Sequence, residues 1–167
     1  MDLKRLTEIF RLAGATDPEG WARSEINENI PQLARYLFLR AAWRGVIPDR
    51  DTSWIDANAK SDGSPDDPGA GIQTALARLL ARGVDRDDLT EVVRVMQWQL
   101  LSHICYLLDD ASVAVEDLQM VPELADNKFC WALVEVDQDE NPVRSIDSLH
   151  ESVLDTDPAG NEMRPRR

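Results

Sequence analysis

Between Asp85 and Asp110 apolar residues return every three or four positions, at Leu89, Val92, Val93, Met96, Leu100, Ile104 and Leu107. That is the period of one helix face, and it predicts an α-helix of about six turns. Asp85 stands where it can cap the first turn, and Asp87, Asp88 and Glu91 sit near the positive end of the helix dipole. Val95, Trp98, Leu101 and Cys105 widen the apolar surface beyond the stripe. Other segments are therefore expected to cover most of this helix and to make it the central core element.

The same period marks shorter helices before it. Leu3, Leu6, Ile9, Phe10 and Ala13 define a first helix that stops at Gly14, where glycine can adopt the left-handed terminal conformation. Asp17-Pro18 supplies a cap and a proline at the first helical position of a second helix, which carries Trp21, Ile26 and Ile30. Pro31 lacks an amide donor and clashes with the preceding turn, so a fresh start is expected there, capped by Asn29 or a neighbour. Leu33, Tyr36, Leu37, Leu39, Ala41 and Trp43 then carry the pattern to Gly45.

From Val46 to Gly71 the chain turns to Pro, Asp, Ser and Gly, the composition of a long loop. Trp54 and Ile55 interrupt it and predict a helical turn over Thr52 to Ala59 held to the core. The glycines around Ala70 lack the lysine and hydroxyl of a phosphate-binding loop. Ile72, Ala75, Leu76, Leu79 and Leu80 define a further helix ending at Arg82-Gly83, and the short link to Asp85 predicts an antiparallel hairpin with the long helix.

After Asp110 the pattern weakens, with a short helix expected before Pro122. The period then changes, because Phe129 to Val136 is rich in β-branched and aromatic residues. With the polar DQDENP run and Val143 and Ile146 beyond, it predicts a β-hairpin with Glu135 outward and Trp131 or Leu133 against the helices. Two strands alone are marginal in water, so the hairpin must pack on the helical body or pair with another copy. Ser148 and Glu151 have capping-box spacing for a short helix that stops at Asp157-Pro158.

The expected architecture is a mainly α, bundle-like single domain over residues 1–157 with a small C-terminal hairpin, and a partly flexible tail over 158–167. Its expected core is Leu37, Trp43, Trp54, Leu76, Leu80, Val92, Met96, Leu100, Ile104 and Leu107. The chain of 167 residues can bury one sizeable core. Its first residues resemble neither a signal peptide nor a membrane span, and the two cysteines, Cys105 and Cys130, sit among apolar residues. A cytoplasmic protein with free buried thiols and no membrane association is expected.

Charge changes this picture. The net charge is −13, and Asp109 to Glu162 holds fifteen acidic residues against Lys128 and Arg144 alone. Such a field repels nucleic acid and attracts basic proteins. The acidic residues expected to meet a partner are Glu135, Asp137, Asp139, Glu140 and Glu151. The partner expected is a basic protein or a second copy of the chain.

No serine-nucleophile elbow, CxxC pair, HExxH or dinucleotide glycine pattern occurs. His103 is expected as a hydrogen-bonded histidine in the core or a groove, and His150 stands near Asp147, Glu151, Asp155 and Asp157, a set able to attract a cation. Glu25 and Glu28 are three apart on one helix, with Asp88 and Glu91 three apart on another. This arrangement resembles the paired acidic motifs of the all-α nucleotide pyrophosphohydrolases, although here a long loop and an extra helix separate the pairs. The resemblance implies a helical bundle whose carboxylates hold magnesium. Against that alternative, the expected function is a non-catalytic interaction protein without a cofactor, since no titratable pair stands out in an apolar setting.

Overall fold

A computed structural model describes residues 1–60, 64, 67–110 and 131–164. Among them are seven α-helices: α1 Leu3–Leu12, α2 Pro18–Glu28, α3 Gln32–Ala42, α4 Ser53–Ala59, α5 Gly71–Ala81, α6 Arg86–Asp109 and α7 Leu149–Ser152. A two-stranded antiparallel sheet, β1 Leu133–Val136 with β2 Pro142–Ile146, precedes α7. The fold is thus mainly α with a small C-terminal hairpin. The helix expected before Pro122 and the thiol of Cys130 lie outside the described residues. No described helix is long and apolar enough to cross a membrane.

The chain forms two compact units, Met1–Arg44 with Gln99–Arg167, and Gly45–Trp98. In the first, α1, α2 and α3 pack in sequence, and α3 also meets β2 and α7. Helix α3 buries Gln32, Arg35, Tyr36 and Leu39, positions spaced to share one face. Leu37 points off that face and is 49% exposed. Phe10 stacks on Trp21 at 6.0 Å, and Tyr36 meets both rings edge-on at 5.5 and 5.4 Å, the offset and T-shaped geometries that ring quadrupoles favour. Burial of Tyr36 raises its phenol pKa against the lowering influence of Arg40.

Side-chain caps shape the helix starts. Asp2 accepts from the Arg5 amide at 2.8 Å, Asp17 from Gly20 at 2.9 Å, and Asp85 from Asp87 and Asp88 at 2.7 and 3.2 Å. Two expected caps are replaced. Pro31 starts α3 with no side-chain cap, and Glu25 of α2 instead accepts the Leu33 amide at 2.7 Å. Ser148 takes a left-handed φ of +54° and does not cap α7; Asp109 of α6 accepts the His150 amide at 2.8 Å. In both cases an acid on another helix satisfies an orphan first-turn amide.

The C-terminal residues are fastened by Trp43, whose indole donates to the Val153 carbonyl at 2.9 Å and to the Thr156 hydroxyl at 3.1 Å. Leu149, Val153, Thr156 and Asp157 are buried here. Asp157 accepts the Ala159 and Met163 amides at 3.0 and 3.1 Å, folding the chain back on itself.

In the second unit α5 packs on α4. Gly83 at φ +75° turns the chain out of α5 before α6 begins. Val46, Ile55 and Leu76 are buried with Thr90 and Arg94 of α6. Arg94 donates to the Ile47 carbonyl at 3.1 Å, Gln97 accepts the Ile47 amide at 2.9 Å, and the Trp54 indole donates to Thr90 at 2.9 Å. The inward side of this half of α6 is therefore polar.

That corrects the expected core. Val92, Met96, Leu100 and Ile104 are 56, 63, 60 and 44% exposed, while Trp43 and Leu76 are buried. Trp54, Leu80 and Leu107 are half-buried, and His103, expected in the core or a groove, is exposed. The physical reason along the first half of α6 is that the partly buried backbone of Ile47, outside any helix or strand ladder, and the indole of Trp54 need side-chain partners, so Arg94 and Gln97 turn toward the one and Thr90 toward the other.

Leu39→Ala is expected to destabilise by about 2 to 5 kcal/mol, as a buried leucine does, and Leu37→Ala by about 0.5 kcal/mol. Denaturant unfolding of the two variants checks the contrast between neighbours on one helix.

Candidate partner-binding surface

The hairpin is set by its turn and by two arginines. Register pairs Leu133 with Ile146, Val134 with Ser145, Glu135 with Arg144 and Val136 with Pro142, with an irregularity between Glu135 and Val136. In the turn, the Asp137 carboxylate accepts the Asp139 and Asn141 amides at 2.9 and 3.0 Å. Glu140 closes the turn at φ +63°. The hydrogen bonds from the Asn141 backbone and side chain, with that from Asp139, hold the Asp137 carboxyl below the usual aspartate range.

Leu133, Glu135, Arg144 and Ile146 share the half-buried to buried face. Arg144 donates from Nε to Glu135 at 2.7 Å and from Nη2 to Glu25 at 3.1 Å. Both carboxylates favour the charged guanidinium and raise its pKa, Glu135 most strongly, against the cost of burial. Arg35, whose side chain is only 7% exposed, reaches Asp147 just after β2 at 3.2 Å. The hairpin is thereby tied to α2 and α3.

Glu135 thus lies on the inward face, contrary to the outward position expected, because Arg144 directly opposite supplies an ion-pair partner. The outward face is largely apolar: Val134, Val136 and Val143 are 38, 49 and 57% exposed, with exposed Ser145 opposite Val134. Trp131, also exposed, donates its indole N–H to the Leu107 carbonyl at 2.6 Å, one of the C-terminal carbonyls of α6 that lack a helical donor.

The five acidic residues expected to meet a partner therefore separate by role. Glu135 is bound to Arg144 and Asp137 to its own turn, while Asp139, Glu140 and Glu151 are exposed. Sequence reading missed the outward valines, although strict alternation from Leu133 would have placed Val134 and Val136 on one face.

His150 turns toward Asp109, not toward its acidic sequence neighbours. Its Nδ1 lies 2.6 Å from Asp109 Oδ2, and Tyr106 meets the imidazole edge-on at 5.4 Å. The Asp109 side chain is 6% exposed and its Oδ1 has no hydrogen-bond partner among the described residues. The pair fixes the imidazole orientation, but no serine, threonine or cysteine hydrogen-bonds His150 among the described residues, so it lacks the nucleophile of a triad. Cys105, four positions before Asp109, is fully buried, and its thiol is pushed up to about 11 by burial and then by the Asp109 charge.

The expected metal ligands are also distributed. Glu25 uses one oxygen for the Leu33 amide and the other for Arg144. Glu28, Asp88 and Glu91 are exposed. Among the described residues no group of three or more His, Cys, Asp or Glu has metal-holding geometry.

Cys105 is expected to resist iodoacetamide at pH 8 in the folded protein and to react on unfolding, since the thiolate is the nucleophile; peptide mass spectrometry reads the modification. The lowered Asp137 pKa has a defined sign: its contribution to the turn is present above the unfolded value of about 4 and is lost as pH falls through the folded value. Protection of the Asp139 and Asn141 amides, taken against the intrinsic exchange rate at each pH, should fall over that acid range, and Asp137→Ala should remove the dependence.

No protein-family model, curated protein or solved structure matches the chain.

Proposed function

We propose that the chain is a non-catalytic interaction protein whose C-terminal hairpin captures a basic protein partner. One observation carries this reading: an exposed apolar face, Val134, Val136 and Val143, adjoins a tip bearing Asp137, Asp139 and Glu140. The hairpin's one basic side chain, Arg144, is turned inward between Glu135 and Glu25. The exposed valines supply an apolar centre, and the acids steer and align a cationic surface around it. The long-range field has the same sign, since the acidic excess lies between Asp109 and Glu162.

A synthetic strand-forming peptide of alternating lysine and valine is a direct probe. It is expected to bind the full chain at 50 mM salt and to weaken steeply at 1 M, where the screening length is about 3 Å. Combined Asp139→Asn and Glu140→Gln changes should weaken it about tenfold, a loss of about 1.4 kcal/mol, with Val143→Ser also weakening it. No binding at low salt, or binding indifferent to all three changes, would remove the assignment.

The magnesium alternative predicts a different response. A chain whose Glu25 serves Leu33 and Arg144 is expected to show no rise in Tm with magnesium. A rise abolished by Glu28→Ala would transfer the assignment to a metal-dependent enzyme.

A further inference from the structure

We infer that the basic segment captured at the hairpin enters as a third strand along the outer edge of β1, with a lysine or arginine beside Glu135 and β-branched residues beside Val134 and Val136. This rests on the capture of a basic partner proposed above and specifies how that partner is held. Every residue involved lies in one compact unit, Met1–Arg44 with Gln99–Arg167.

The sheet has two strands, so among the described residues each strand has one edge without a strand partner. Such an edge offers a row of backbone amides and carbonyls to another extended chain. The two edges are not equivalent. Strand β2 meets α3 and opens with Pro142, which has no amide to donate. Strand β1 reads Leu-Val-Glu-Val without a proline, so its outer edge can take an unbroken ladder.

Side chains along β1 alternate between faces: Leu133 and Glu135 are half-buried, Val134 and Val136 exposed. Residues directly opposite one another on neighbouring strands share a face. An added strand therefore sets one residue beside Glu135 on the inward face and the two flanking residues beside Val134 and Val136 on the outward face. Charge selects the first of these. Glu25 and Glu135 share the single guanidinium of Arg144, which leaves one carboxylate charge unmatched. Arg144 engages Oε2 of Glu135; Oε1 of that side chain, 32% exposed, takes no hydrogen bond among the described residues. A cation in the added strand meets this oxygen and brings the cluster to two charges of each sign.

The same charges disfavour a second copy of β1 as the third strand. Residues 133–141 contain Glu135, Asp137, Asp139 and Glu140 and no lysine or arginine, and two copies paired about Glu135 would set like charges opposite one another.

The probe is the alternating lysine and valine peptide in three forms: unmodified, N-methylated on every lysine, and N-methylated on every valine. A strand at a sheet edge turns the amides of alternate residues toward its neighbour. One methylated form is therefore expected to bind the full chain about tenfold more weakly than the unmodified peptide at 50 mM salt, and the other within about twofold. Glu135→Gln should weaken the unmodified peptide about fivefold, with circular dichroism unchanged. Failure of the unmodified peptide to bind removes capture of a basic partner and this inference with it. If it binds and both methylated forms match it, capture stands and the added strand is overturned. An equal loss in both forms overturns the strand as well, because only one alternate set of amides faces a sheet edge. A one-sided methylation effect with no response to Glu135→Gln overturns the β1 edge and transfers the strand to β2.

Discussion

The need of backbone amides and carbonyls outside helix and strand ladders for hydrogen-bond partners governs much of this structure. Partners come from side chains in other elements of the chain. Gln97 and Arg94 take the amide and carbonyl of Ile47, Glu25 takes the Leu33 amide, Asp109 takes the His150 amide, and Trp43 donates to the Val153 carbonyl. Each bond satisfies a group that has no partner within a regular ladder, and each also fixes where a loop or a short helix lies. Helix α7 has only four residues and does not stand by propensity; buried Leu149 and Val153, with the Asp109 cap, hold it.

The same demand redirects side chains that would otherwise signal other chemistry. Glu25 has the spacing of a metal ligand, yet its two oxygens serve a helix start and an arginine. Arg144 in turn pairs with both Glu25 and Glu135 on the inward side of the hairpin. Both pairs are only partly exposed, so solvent screens them less than it would surface pairs. The outward side is left to valines and the tip to acids, a division that favours a partner with an apolar centre and a cationic border.

Along α6 the consequence is an inversion of the amphipathic pattern. Thr90, Arg94 and Gln97 recur at helical spacing as regularly as the apolar stripe does, and they face the segment around Ile47 and Trp54. Val92 and Met96 are then left outward.

By itself the sequence determined the elements whose causes are local. Periodicity located α1, α2, α3, α5 and α6; Asp17, Pro18 and Asp85 marked starts, Gly14 and Gly83 marked ends, and β-branched residues before an Asp- and Asn-containing turn announced the hairpin. The concentration of acidic charge was likewise plain, and with it Asp139, Glu140 and Glu151 as exposed acids. Only the tertiary structure decided which side of α6 faces inward, that Glu135 turns toward Arg144, and that Glu25 and Asp109 replace local caps. Helical period shows that two faces differ without showing which one is buried, because burial depends on the partners available across the fold. A distant backbone amide or an opposing arginine has no signature in the residues beside the group that meets it.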